Sequence, residues 1–506
     1  MKLVAKISFL TLLACFPMDS LWSKSLKVEK DSLLEQIKTQ KTLRVATRYS
    51  LTTYYQNPSG EFRGLEHDLI KRFAKELGVE PQIIVVSDIQ QLLSLIKNHR
   101  VDFAVGLTSN EQRKSIIRFG PAYQTVTQQV VYRYDDSPPP SDLADFDTNH
   151  ILHVIADSSQ AKLLKDTQKK YPKLCWKAVK SVETVDLLKQ VWKGDIRYAL
   201  VNSNEIAQVQ RFYPELRVSF EFPIPQQLAW AFPPSLGDGS LYNATVKFFN
   251  QLDQSGDLER LIERHYGHLN TEEFDYVDTS RFYRHVKERL PTYRRYFKQV
   301  AEDLEIDWRL LAAIGYQESH WNPHAVSRTG VRGIMMLTKS TAKELGVKDR
   351  TDPFQSIEGG SKYLVMLKKR LNGDIPEPDK MWLALAAYNV GLGHLRDARK
   401  LVRQQGKRSD YWVNVEKTLL LLSKPRWYKK TNYGRARGYE AVAFVKNVRR
   451  FYDMLLQLEG KKIQMADQVL PIWSEYNFAN VYKHINGLSP PEYVVRINPF
   501  PPYLLD

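Results

Sequence analysis

The chain is 506 residues long, with 43% hydrophobic residues, 26% charged residues and a formal net charge of +16. A single hydrophobic core cannot serve that length, so two or more domains are expected, and the ordinary balance of apolar and charged residues excludes wholesale disorder. Two cysteines exclude a disulfide framework.

Lys2 and Lys6 bracket the entry to a mostly apolar stretch, Ile7 to Ala14, followed by Cys15. The stretch is too short to span a bilayer and reads as an export signal over residues 1–14. It resembles a bacterial lipoprotein signal, with Leu12 three residues before Cys15 and the small Ala14 directly before it. The resemblance implies lipid on Cys15 and a protein anchored by lipid, or held peripherally, at the periplasmic face of the outer membrane. A plain signal cleaved beyond Phe16 is the alternative. The positive charge is spread along the chain; on an exported protein it equally suits an anionic envelope polymer, a membrane surface or a plain solvated surface, and charge alone does not choose. No nucleic-acid partner is expected.

Lys41 to Tyr49 alternates as a strand. Leu65, Leu69, Phe73 and Leu77 then recur at helical spacing, and Gly78 ends the helix. Ile83–Val86, Ile89–Ile96 and Val101–Val105 continue as strand, helix and strand, which predicts an α/β domain with a largely parallel sheet. Gln128–Tyr134 reads as a strand before the proline-rich break Ser137–Ser141. A second α/β segment follows from Asn149 to about Val218, and Gln227–Phe232 reads as a strand returning to the first lobe. The expectation for residues 41–268 is two α/β lobes with a ligand cleft between them. Lobe 1 takes about 41–134 and 226–268, and lobe 2 about 142–225.

Residues 269–289 are polar and charged and read as a linker. From 290 to 459 good helix formers dominate, predicting an all-α domain. Residues 460–506 carry many aromatics and prolines and read as an irregular arm.

Within the helical domain, Trp308 to Pro323 reads WRLLAAIGYQESHWNP. Leu311, Ile314 and Glu318 fall at i, i+3 and i+7, so the glutamate continues an apolar helix face. A carboxylate there is costly unless partnered or functional, and burial would raise its pKa toward that of a general acid. Periodicity alone favours reading Glu318 as a hydrogen-bonded or partly exposed helix-terminal residue. Three further segments decide between these: GVRGIMMLT at 330–338, AAYNVGLG at 386–393 and RGYEAVAFVKNVRRFY at 437–452. With QESHWNP they resemble, in order, the soluble lytic transglycosylase family, whose fold is shared with goose-type lysozyme.

The resemblance implies that Glu318 is the catalytic acid, with Ser319, Met336, Tyr388, Asn389 and Glu440 around the substrate. Met336 stands where the family commonly has glutamine, which removes a polar group beside the sugar. The implied substrate is the glycan strand of peptidoglycan, cut between N-acetylmuramic acid and N-acetylglucosamine with closure of a 1,6-anhydro ring. No cofactor or metal is expected; His320 and His324 are four apart, but Pro323 interrupts the helix. A hydrolytic muramidase on the same fold is the nearest alternative, and a non-catalytic wall-binding protein the next.

Residues 41–268 resemble the periplasmic solute-binding family, in its amino-acid-binding branch, most closely at 64–68 and at VDFAVGLTSNEQRKSIIRFGPAY, 101–123. The resemblance implies that Thr108 and Arg113 hold a ligand carboxylate. Asn202 stands where amino-acid binders carry an aspartate; it can accept a hydrogen bond from an ammonium but cannot neutralise it. A muropeptide or peptide-like ligand is therefore expected rather than a free amino acid. The order of the two modules resembles the membrane-bound lytic transglycosylase F type.

Overall fold

The computed structural model describes residues 32–57, 60–134, 139–180, 182–234, 238–269 and 276–466. The expected export signal, Cys15 and the arm beyond residue 466 lie outside the described residues.

The N-terminal half is built on strands β1 (Thr42–Arg48), β2 (Tyr55–Gln56), β3 (Phe62–Arg63), β4 (Glu80–Val86), β5 (Phe103–Ser109), β6 (Arg118–Arg133), β7 (Leu152–Ile155), β8 (Trp176–Val179), β9 (Tyr198–Asn202) and β10 (Leu216–Phe232). Eight of them form one sheet in the order β4-β1-β5-β10-β6-β9-β7-β8. β1 runs parallel to β4 and β5, and β7 runs parallel to β8 and β9. Between these two parallel groups run β6 and β10, paired antiparallel with each other along most of their length.

The length of this central pair was not legible in the sequence, where only Gln128–Tyr134 and Gln227–Phe232 read as strand. Proline interrupts ladder hydrogen bonding and masks a strand. Pro223 and Pro225 fall in a register gap between Phe222 and Gln226, where the strand bulges and then resumes its pairing with β6. The result is a two-lobed body with one continuous pair of strands crossing between the lobes. Lobe 1 closes over an aromatic cluster in which Phe103 stacks on Trp230 with centroids 4.5 Å apart and Phe73 meets Trp230 edge-on. Lobe 2 packs Leu152, Val154, Leu164 and Leu200 on one side of its strands and Leu187, Leu188 and Val201 on the other.

The C-terminal half is helical. Its centre is the helix Trp308–Ser319, with every residue from Leu310 to Tyr316 buried. The sequence suggested one apolar stripe; the helix is instead wrapped on all sides, which is the packing of a core helix. Leu290–Leu304, Pro353–Lys369, Asp379–Val390 and the long Gly438–Ala466 surround it.

Two expected boundaries differ from the structure. The supposed linker 269–289 contains the helix Tyr276–Glu288, and Phe282 on it is fully buried between Tyr316 and Phe451. One aromatic ring facing the core offsets the otherwise polar composition that suggested a linker. The last helix continues to Ala466, past the expected end at 459.

The halves meet through a polar seam. The helix Asp257–Tyr266 of lobe 1 presents Arg260 to Asp379 at 2.7 Å and Glu263 to Arg449, a pair in which both side chains are buried. Asp453 on the last helix bridges both lobes, accepting from Arg211 of lobe 2 and facing His268 at 2.8 Å.

Candidate functional site

The helix bearing Glu318 begins at Asp307, whose carboxylate accepts from the backbone N–H of Arg309 at 2.9 Å and from the Tyr452 hydroxyl at 2.9 Å. It ends just after Ser319, where His320 and Trp321 take positive φ of 53° and 56° and turn the chain back. Trp321 folds under the helix, fully buried, and its indole N–H donates to the Ala312 carbonyl at 2.8 Å. Ser319 donates to the carbonyls of Gly315 and Ile334, 3.2 and 2.9 Å away. Its hydroxyl therefore ties the glycine-bearing turn to the end of the helix.

That turn is a small hairpin closed by mutual backbone hydrogen bonds between Arg332 and Leu337. Gly333 has φ of 88°, and a Cβ there would lie 1.8 Å from the Arg350 carbonyl oxygen, so only glycine fits. Met335 is buried, and its N–H donates to the Ser356 hydroxyl at 3.2 Å. Met336 is half-buried and held at φ of 48°. A non-glycine residue in the left-handed region stores backbone strain.

Glu318 is half-buried at the meeting point of these parts. Burial raises its pKa to about 8, and desolvation is the single cause. No hydrogen bond or ion pair to Glu318 forms among the described residues. Tyr388, near the end of the helix Asp379–Val390, donates its hydroxyl to the Met335 carbonyl at 2.8 Å. Burial pushes its phenol well above the usual range, and the nearby Glu318 carboxylate adds to the shift. Phe444 stacks on the Tyr388 ring with centroids 6.1 Å apart. Glu440 lies one turn before Phe444 on the same face and accepts from Arg437 at 2.9 Å. Asn389 is exposed beside Tyr388. The structure thus gathers Glu318, Ser319, Met336 and Tyr388 tightly, with Asn389 and Glu440 at the edge.

The second site is the cleft between the lobes. Its lining includes Thr108, Arg113 and Asn202, together with Arg48, Glu66 and Glu205. Arg113 is buried and donates to the Thr108 carbonyl and hydroxyl oxygens at 3.0 and 3.1 Å, and across the cleft to the Asp157 carbonyl at 3.1 Å. Desolvation, then the nearby Arg48 guanidinium, lowers its pKa to about 10. Arg48 faces Glu183 of lobe 2 at 3.5 Å. Asn202 accepts from Gln160 at 2.9 Å, and its N–H donates to Glu205 at 3.0 Å. Glu66, at the cleft floor, accepts from the Gly106 N–H, the Trp230 indole and the Tyr123 hydroxyl. Burial raises it to about 7. The cleft as it stands offers about 60 Å³ of cavity space, room for a few waters.

The sequence singled out neither Arg48 nor Glu66. The motif containing Glu66 was visible, but its three donors come from positions 40 to 164 residues away. Among the described residues no group of three His, Cys, Asp or Glu side chains is placed to hold a metal ion.

The model for the Transglycosylase SLT domain matches residues 295–411, and that for Bacterial extracellular solute-binding proteins, family 3, matches residues 43–268. Fold and sites therefore define a two-module protein, a periplasmic-binding-protein fold followed by a lysozyme-like transglycosylase domain. Membrane-bound lytic murein transglycosylase F 1 of Alkalilimnicola ehrlichii is 45% identical over 439 residues, 86% of this chain and 88% of that protein. Membrane-bound lytic murein transglycosylase F of Pseudomonas fluorescens Pf0-1 is 44% identical over 451 residues, 88% and 92% of the two chains. The chain belongs to the membrane-bound lytic murein transglycosylase F family.

Proposed function

We infer that this protein is a peptidoglycan lytic transglycosylase whose single acid–base group is Glu318. The observation that carries the reading is the solitary, desolvated carboxyl at the end of the central helix. Glycosidases that work with two carboxylates place them roughly 5–9.5 Å apart. Desolvation alone raises the pKa of Glu318, and no ion pair or hydrogen bond reaches it among the described residues. Both features support one group serving as acid and afterwards as base.

In the first step protonated Glu318 gives its proton to the glycosidic oxygen, and the bond from that oxygen to C1 of N-acetylmuramic acid breaks. The acetamido group of the same sugar assists from within the substrate. In the second step the Glu318 carboxylate takes the proton of the sugar's C6 hydroxyl. That oxygen bonds to C1, closing a 1,6-anhydro ring and returning the proton to Glu318. Water is not consumed, so the reaction is a lyase reaction. The raised pKa keeps the acid form populated at neutral pH. Tyr388 and Ser319 hold the hairpin backbone against the helix end, which fixes where a sugar ring would lie.

The N-terminal cleft supports a ligand with a carboxylate and amide groups, such as a muropeptide stem. Arg113 and Arg48 supply positive charge, while Asn202 is neutral and already faces Gln160. The cleft is narrow as it stands, and a stem would bind with the lobes further apart. Opening would break the Arg113–Asp157 and Arg48–Glu183 contacts and move Arg211 relative to Asp453. Those contacts, which tie the cleft to the last helix of the catalytic half, support a regulatory role. No helix among the described residues is long and apolar enough to cross a membrane. Attachment at the periplasmic face of the outer membrane through acylated Cys15 fits the N-terminal pattern, and membrane attachment of some kind fits the membrane-bound relatives.

The test is digestion of purified murein by the wild type and by Glu318→Gln. The wild type should release fragments ending in 1,6-anhydromuramic acid, and the variant none. Full activity in the variant would end the assignment.

A further inference from the structure

We propose that the basic loop 424–437 forms a rim of the catalytic groove that holds the carboxylates of the peptide stems on the glycan strand. The inference rests on the transglycosylase reading and adds a recognition surface to it.

From Lys424 to Tyr439 the chain carries six cations and no aspartate or glutamate. All six, Lys424, Arg426, Lys429, Lys430, Arg435 and Arg437, are exposed. Arg437 pairs with Glu440; the other five have no ion pair among the described residues. Packing like charges together without partners opposes folding, so stability does not explain the arrangement.

The loop is nevertheless held in one shape. Asp397, buried beneath it, accepts from the N–H groups of Asn432 and Tyr433 at 3.1 and 2.7 Å. Thr431 donates to the Tyr428 carbonyl at 2.7 Å, and the Ala436 N–H donates to the Leu422 carbonyl at 3.1 Å. A buried carboxylate thus fixes an exposed run of cations, which is the preorganisation expected of a binding surface.

Its position ties it to the glycan. The Tyr433 ring lies on Gly393, where a Cβ would come within 2.6 Å of it. Gly393 closes the segment that carries Tyr388 and Asn389. The loop's other end runs directly into Tyr439 and Glu440. Tyr433 and Tyr439 are 57% and 56% exposed. Such rings offer flat faces to sugars, while the cations on either side of Tyr433 suit the acidic groups that project from the strand. A membrane surface would not require contact with the catalytic segment.

The test is binding by the full chain carrying Glu318→Gln and Arg113→Ala, so that the strand is neither cut nor held by the N-terminal cleft. Labelled soluble glycan strands, with stems and after amidase removal of the stems, are titrated at low ionic strength. Adding Lys429→Ser, Lys430→Ser and Arg435→Ser should lower the preference for stem-bearing strands about eightfold, at roughly twofold per exposed contact. Replacing Lys429 and Lys430 by arginine instead should retain the preference. An unchanged preference, or equal weakening toward both strands, overturns the proposal. So does loss of binding to phosphatidylglycerol vesicles with the strand preference intact, which would assign the loop to a membrane. Strand shortening during the titration would instead show that Glu318 is not the acid, a failure read separately.

Discussion

Replacing Glu318 by glutamine should stabilise the protein in mild alkali while removing its chemistry. The folded-state pKa is about 8 against an ordinary value of 4.5. At about 1.4 kcal/mol per pKa unit the linked free energy has a ceiling of about 5 kcal/mol. The residue is half-buried, so solvent screening brings the expected effect to about 1–3 kcal/mol. The sign follows from the raised value: the neutral carboxyl favours the folded state. Its contribution is complete below pH 4.5 and is lost as pH rises through about 8. Glutamine has no proton to lose. Denaturant unfolding of both proteins at pH 5 and pH 9, followed by a probe in the helical domain, gives the comparison. The wild type should lose stability relative to the variant between the two pH values. Parallel behaviour would show that the carboxyl is not desolvated, and the argument for its acid role would fail with it.

The same pKa predicts an activity limb. Turnover should fall about tenfold per pH unit above about 8, as the acid form disappears. Asp307→Ala removes the cap of the Glu318 helix and the Tyr452 contact, and should cost about 1–2 kcal/mol by denaturant unfolding, with turnover reduced. Gly333→Ala places a Cβ against the Arg350 carbonyl, and should cost more than about 2 kcal/mol or leave the helical domain misfolded by circular dichroism. Arg113→Lys keeps the charge in the cleft but loses the planar fork, so calorimetric titration with an N-acetylated stem peptide should show at least tenfold weaker binding.

What could be read from the sequence was local. Glu318, the hairpin glycines and the Tyr388 segment each sit in a short motif, and their order along the chain was enough to bring them together. The two-lobed plan was legible because the strand and helix periods alternate cleanly through Phe103. The central strands were not, because Pro223 and Pro225 hide a bulge that only pairing with β6 reveals. Phe282 turned an apparent linker into a core helix, since one buried ring outweighs several exposed charges. The seam between the halves left no trace in the sequence. Glu263 and Arg449 are 186 residues apart, and each looks like an ordinary surface charge on its own helix. Ser319, expected beside the substrate, donates to two backbone carbonyls. Those partners could come only from the fold.

The central claim is that one carboxylate directs an attack from within the substrate. Mass analysis of murein fragments produced in water enriched in oxygen-18 tests it most directly. The account predicts muramic ends one water lighter than a hydrolysed end, with no heavy oxygen at C1, and no such fragments from Glu318→Gln. Reducing ends carrying oxygen-18 would contradict it and make the protein a hydrolase.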